Sequence, residues 1–562
     1  MKNYEKVNTI ASKGIENKKA YLAGGGIASL AAAAFLIRDG HMPAKNIHVL
    51  EEKQVFGGSM DGAGNAKDGY LARGGRELES RMECMYDLYS FIPSLKNPNR
   101  TVLDEFRELN IAEPIKSHCR LVENQGQKAD FSTLGLSFED MMSLNKLVLV
   151  NNDKLNGVTC EQWFKPEFFK TNFWYFWCTM FAFENWHGVL EVKHYMIRFM
   201  HLIGGMNQLV GILHTEYNQY DSLILPLITW LKDQGVSLEL GVQVTNLDIK
   251  ITDTEKTVKK IYITRNGKEE IIEITGNDLV FVTNGSMTEN STVGSNNKPA
   301  ILDRNQKERG CWSLWENIAK QSSEFGHPEI FAGDIDKSKW MSFTMTITDN
   351  TTLFDHLLKL TGDEPGMGGV VTVKDSSWLL SWTAPKQPHF INQPENVQVL
   401  WAYGLFPDNV GDFIKKKMSD CTGEELFSEL LYHIGMQSKI PEILASSKVI
   451  PCMMPYITSQ FMPRSQGDRP AVIPRGSTNL AFLGQFSEIE NDCVFTVEYS
   501  VRSAMMAVYG LLKLDKKVNP VYEGQYDVRV LLKAAKTMMG NKEISIDKLI
   551  GKILINTGLK DL

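Results

Sequence analysis

Three consecutive glycines, Gly24, Gly25 and Gly26, stand between an apolar run, KKAYLA, and an alanine-rich stretch, IASLAAAAFLIRDGH, which leads into a second apolar run, IHVLEE. Short apolar blocks on either side of a longer helix-forming stretch read as strand, glycine turn, helix and strand. This order is a βαβ opening and narrows the fold at once. Gly24 and Gly26 supply a tight turn and a close backbone approach, and the helix start at Ala28 and Ser29 offers unpaired N–H groups to a pyrophosphate. Ser29 stands where a dinucleotide fingerprint has its third glycine, but it is still small enough for close helix–strand packing. Glu51 ends the second strand, where its carboxylate can accept hydrogen bonds from a ribose diol.

A second glycine pair, Gly57 and Gly58 followed by Ser59, comes directly after the acidic strand end. Flavoproteins commonly carry such a pair, so FAD is favoured over NAD. Further cofactor contacts are expected from Arg73, Gly74 and Gly75, from Val244, Thr283 and Asn284, and from Gly484 near the isoalloxazine end. The flavin's working state, oxidised FAD or reduced FADH2, is left open.

Two later blocks resume the strand pattern. VSLELGVQVTNLDI, KKIYITRNG and NDLVFVTNGS lie between Val236 and Ser286, and NLAFLGQFSE precedes a helix-like run, FTVEYSVRSAMMAVYGLL. The reading is α/β: a Rossmann-type FAD-binding domain assembled from residues 19–84, 206–289 and 476–515, after an N-terminal extension over 1–18. A helical and aromatic insert, lid and substrate pocket at 85–205, a mixed α/β substrate-binding domain at 290–475 and a helical C-terminal segment at 516–562 complete it. The aromatic stretch KPEFFKTNFWYFWCTMFAFENWHG reads first as core packing and second as a lipid-lined pocket. Ile546, Leu549, Ile550, Ile553 and Leu554 recur at helical spacing with Lys548 and Lys552 between them. Packing on the body is the first expectation there, and peripheral membrane contact the second.

At 562 residues the chain exceeds one domain core. No apolar run reaches the length of a membrane span, and the first twenty residues lack a signal-type apolar stretch, so a soluble cytoplasmic protein is expected. The net charge of −7 argues against nucleic acid, and a carboxylate-binding site would have to be built locally. The eight cysteines are spread singly and read as reduced core thiols, and no metal site is expected.

The run FGGSMDGAGNAKDGYLARGGRELESRMECMYDLYSFIPSL, residues 56–95, resembles the oleate hydratase family, formerly called myosin-cross-reactive antigens. The resemblance continues through HYMIRFMHL, SWTAPKQPHF and FTVEYSVRSAM. It implies a homodimeric enzyme that uses FAD without net redox change to add water to the cis-9 double bond of oleate or linoleate, giving 10-hydroxy fatty acids. It also implies that Glu77 activates the water, with neighbouring Arg76 helping to keep it ionised, and that Tyr195 protonates the alkene. Gln219, Thr383 and His389 would hold the substrate carboxylate. Pro385 stands where family members often carry an amide side chain and has neither a side-chain donor nor an N–H. The nucleotide motifs alone also fit an FAD oxidoreductase of amine oxidase or desaturase type, or a non-catalytic lipid-binding flavoprotein.

Overall fold

The computed structural model describes residues 9–60, 62–75, 77–305 and 308–539. Five short strands form a parallel sheet in the order Leu480–Leu483, Leu279–Thr283, Ala20–Ala23, Ile47–Glu51 and Ser237–Leu240. The first four of these are buried almost throughout, which is why they read as continuous apolar runs rather than as alternating patterns. Helix Ile27–Arg38 packs against the long helix Val497–Leu512, and its fully buried Ala31–Ala34 run lets the two axes approach closely. Gly241, with φ of +70°, ends the fifth strand of this sheet. The chain then enters a three-stranded antiparallel sheet, Val242–Ile251, Lys256–Arg265 and Lys268–Glu273.

An eight-stranded mixed sheet makes the second body. Its order is Thr292–Val293, Ser447–Met454, Trp340–Thr348, Val397–Gly404, Leu380–Thr383, Val371–Val373, Leu121–Glu123 and Gln127–Lys128. The last two strands come from the segment read as helical and aromatic, and Leu121–Glu123 joins Val371–Val373 in parallel. That insert is therefore woven into the eight-stranded sheet. Its remaining part supplies helix Asn172–Phe181, helix Val189–Phe199 and the 3₁₀ segment Met200–Gln208.

Within the aromatic stretch Phe173 and Trp177 are core, while Thr179, Met180, Phe181 and Ala182 line a cavity. Helix Val528–Met538 lies over Met200–Gln208, where the missing side chain of Gly204 makes room for the stem of Lys533. The amphipathic run from Ile546 to Leu554 lies outside the described residues. Among the described residues no helix is long and apolar enough to cross a membrane. All eight cysteines are free thiols, seven of them buried and Cys311 partly exposed.

Candidate functional site

Three cavities adjoin one another. The first is a cleft above the parallel sheet, lined by Gly24, Gly26, Ala28, Glu51, Gly57, Gly58, Ser59, Val244, Thr283 and Gly484. Gly24, at φ of +97°, turns the chain out of its strand, and Gly26 caps helix Ile27–Arg38 with no side-chain hydrogen bond and no acidic residue in the first turn. The helix start therefore keeps free N–H groups and a positive end for a phosphate. The second glycine pair is tied to the first turn, because the Gly57 N–H donates to the Gly25 carbonyl at 2.9 Å. A Cβ on Gly58 would lie 3.1 Å from the Gly26 Cα, so only glycine permits this approach.

Glu51 accepts N–H hydrogen bonds from Gly25 at 2.6 Å and Lys53 at 2.8 Å, which orient its carboxylate at the strand end. Burial raises its pKa above the usual carboxylate range. This donor set, with an open backbone cradle, a free helix end and an oriented acid, fits the ADP half of FAD. Ser29 is fully buried, and its hydroxyl meets that of Thr283 at 3.0 Å, so the residue replacing a third glycine ties helix to strand. Asn284 is also fully buried beside Thr283, off the cleft wall, and neither of its amide atoms has a partner among the described residues.

The second cavity is a chamber whose walls carry both Glu77 and Tyr195. Phe181, Phe199, Leu202 and Ile212 make it largely apolar, and it meets the nucleotide cleft at Phe495, Thr496 and Val497. Arg73, Gly74 and Gly75, read as cofactor contacts, line this chamber and the third cavity, not the nucleotide cleft. The reason is the hairpin Gly62–Asn65/Gly69–Ala72, which carries the chain away from Gly58 before the loop to Glu77 begins.

Glu77 sits close against the backbone at Gly369, where a Cβ would lie 3.2 Å from its Oε1. Burial pushes its carboxyl up to about 7, opposed by the positive charge of Arg120. Arg120 is 1% exposed, and its guanidinium donates to the carbonyls of Val370 at 3.0 Å and Met206 at 2.6 Å and covers the Phe176 ring. Burial lowers its pKa to about 10, and Glu77 is the main charge opposing that shift. Arg76, the cation expected from the adjacent position, lies outside the described residues. The counter-charge seen for Glu77 comes from far along the chain.

Tyr195 is fully buried and donates its hydroxyl hydrogen bond to the Val494 carbonyl at 2.6 Å. Phe181 and Phe183 hold its ring edge-on at 4.8 and 5.2 Å. Desolvation raises its pKa well above the usual tyrosine value, so the hydroxyl keeps its proton at any ordinary pH. Asp492, just before this loop, is gripped by Arg198 at 3.3 Å and Arg502 at 2.8 Å. Arg198 lies one helical turn beyond Tyr195, so the helix and the loop that meet at the hydroxyl are cross-braced.

The third cavity shares Glu77 and Gln219 with the chamber and adds Thr383, Pro385, Lys386 and His389. Asn218 ties the Gln219 segment to the His389 loop, donating its backbone N–H at 2.8 Å and its amide at 3.0 Å to the His389 carbonyl. Burial pushes the His389 imidazole down to about 4, which leaves it neutral near pH 7. Gln219, Thr383 and His389, far apart in sequence, are thus brought to one cavity, with Pro385 in the same wall.

Sequence reasoning missed Arg120 and Lys386. An arginine inside the apolar run CRLV was the available signal for the first, and a lysine following Pro385 for the second. Elsewhere Asp412, Glu429 and His433 bring possible metal ligands together. The Glu429 carboxylate already accepts N–H bonds from Asp412, Phe413 and Ile414, an arrangement that anchors a loop.

Comparison with known proteins follows the same lines. The model of the MCRA family matches residues 17–509. An oleate hydratase of Streptococcus pyogenes serotype M49 (strain NZ131) is 41% identical over 569 residues, covering 98% of this chain and 96% of its own length. A linoleate hydratase of Lactiplantibacillus plantarum is 32% identical, covering 92% of this chain and 98% of its own. Among solved structures, a putrescine oxidase redesigned in its cofactor binding aligns at 11% identity with a TM-score of 0.49, over 88% of this chain and 99% of that one. A family model spanning most of the chain, and relatives at this identity over nearly their full lengths, show that the chain belongs to the MCRA family.

Proposed function

We propose that the protein is a fatty acid hydratase that adds water across the cis-9 double bond of oleate or linoleate, giving a 10-hydroxy acid with no net redox change. The observation that carries this reading is the shared chamber: an acid with a raised pKa and a protonated tyrosine on the walls of one apolar space, which continues into a polar cavity at one side and the nucleotide cleft at the other. In the proposed step Glu77 accepts a proton from water as its oxygen bonds to C10, and Tyr195 delivers a proton to C9. The proton on Glu77 then returns to Tyr195 through solvent. Because the Tyr195 hydroxyl is a weak acid in this setting, proton delivery is coupled to C–O bond formation and no free tyrosinate precedes it.

FAD, held by the glycine turns, Glu51 and the start of helix Val497–Leu512, would supply an aromatic and electrostatic boundary to the chamber. Gln219, Thr383 and His389 would fix the lipid's carboxyl end so that chain length sets which carbons reach Glu77. The same reading includes a homodimer, as the family resemblance implies, and a cytoplasmic location with peripheral contact to lipid, as the sequence pattern suggests.

Oleate incubated with the protein in isotopically labelled water tests the reaction class. The expected product is heavier than oleate by one labelled water, with no oxidant consumed. Anaerobic bleaching of the flavin by substrate, without hydration, would instead establish an oxidoreductase.

Glu77 must be ionised to take a proton, so kcat/KM is expected to fall as the pH drops through about 7, the value to which burial raises its pKa. Arg120→Met removes the charge that favours the carboxylate and should move this acid limb to higher pH, whereas Arg120→Lys should move it less. A limb left unchanged in Arg120→Met would remove Arg120 from this role. Gln219→Ala and His389→Ala should each raise KM for oleate on the order of tenfold with a smaller effect on kcat, because contacts remote from the alkene act on ground and transition states alike. Equal turnover of oleate and methyl oleate would contradict that assignment.

A further inference from the structure

One wall residue of the polar cavity, Lys386, belongs to an ion pair that plays no part in the proposed reaction. Lys386 Nζ lies 2.5 and 2.7 Å from the two carboxylate oxygens of Glu113. Both side chains are partly exposed, at 23% and 38%. Lys386 belongs to the cavity wall; Glu113 is not part of that lining.

A fatty-acid carboxylate entering this cavity gives up much of its hydration and needs a counter-charge. The protein's net charge of −7 provides no general attraction for it. Gln219 and Thr383 are neutral, and burial keeps His389 and also His214, another wall residue, on the uncharged side near neutral pH. Two formal cations line the cavity, Arg73 and Lys386. Arg73 also lines the reaction chamber beside Glu77, whereas Lys386 lines only the polar cavity, between Pro385 and His389 in the same loop.

The loop that carries Lys386 packs closely on the chain at Gly366. Gly366 donates its N–H to the Ala384 carbonyl at 2.7 Å, and a Cβ at Gly366 would lie 2.8 Å from that of Lys386. The flexible stem beyond Cβ is therefore what can turn between partners.

We propose that Lys386 is the charged ligand of the substrate carboxylate, exchanging Glu113 for the fatty acid when the lipid binds. The proposal rests on the fatty-acid reading above. It also accounts for the tolerance of proline at Pro385, since a charged donor one residue on replaces a neutral amide. Glu113 then acts as a competitor that holds the lysine extended while weakening carboxylate binding.

The test uses FAD-loaded protein and two ligands that cannot be hydrated, stearate and stearyl alcohol, with calorimetry to measure binding. Lys386→Met should raise the Kd for stearate about tenfold or more, the usual scale for losing a hydrogen bond to a charged group. Stearyl alcohol should stay within about twofold of the wild-type value, because it carries no charge to lose. Lys386→Arg should retain most stearate affinity, and Glu113→Gln should tighten stearate binding by freeing the lysine. Unchanged stearate binding in Lys386→Met, equal losses for acid and alcohol, or no gain in Glu113→Gln would each overturn the proposal. Wild-type protein that binds neither ligand would instead overturn the fatty-acid reading on which it stands.

Discussion

Glu77→Gln is expected to lower kcat for oleate hydration by about 10²-fold or more, because the amide keeps the shape and hydrogen bonding of the acid but cannot take a proton from water. Flavin content should be nearly unchanged, since Glu77 lines the chamber and the polar cavity but not the nucleotide cleft. The substitution also leaves Arg120 facing a neutral group. Its charge then keeps the carbonyls of Val370 and Met206 and the Phe176 ring but loses the carboxylate that opposes its burial, and some loss of thermal stability should accompany the kinetic defect. Steady-state rates, flavin absorbance and thermal midpoints on one preparation separate these effects. Wild-type kcat in Glu77→Gln would exclude proton acceptance by this residue.

Features encoded by local spacing were legible in the sequence. The glycine turn, the alanine-rich helix and the acid at Glu51 lie within one βαβ unit, where backbone geometry dictates residue type at each step. The strands Leu279–Thr283 and Leu480–Leu483 were also readable, because burial on both faces makes them uniformly apolar. Leu121–Glu123 and Gln127–Lys128 were not, since strands of three and two residues are too short for any periodicity to register.

The site is divided in the same way. Motifs carried Glu77, Tyr195 and the residues of the polar cavity, but the charges that act on them are long-range. Arg120 reaches Glu77 through the strand that the insert contributes to the eight-stranded sheet, and Glu113 reaches Lys386 across a far longer gap in sequence. Neither pairing has a spacing rule. Arg73, Gly74 and Gly75 follow Gly57 and Gly58 closely in sequence, yet the intervening hairpin sets them on the walls of the chamber and the polar cavity, a placement that sequence spacing does not show.

Tyr195→Phe should lower kcat by an amount comparable to Glu77→Gln, about 10²-fold or more, with KM little changed because the ring still fills its place between Phe181 and Phe183. The lost hydroxyl leaves the buried Val494 carbonyl without its 2.6 Å partner, which should cost about 1–3 kcal/mol of stability. That loss is readable as a lowered thermal midpoint and is distinct from the chemical defect, because the bracing of Asp492 by Arg198 and Arg502 is untouched. If Glu77 and Tyr195 serve one coupled addition, removing the second group from a protein that already lacks the first should cost little more. The double variant should therefore fall far short of the product of the two single defects. Multiplicative losses would mean that the residues act in separate steps, and full activity in Tyr195→Phe would mean that the proton reaches the alkene from another donor in the chamber.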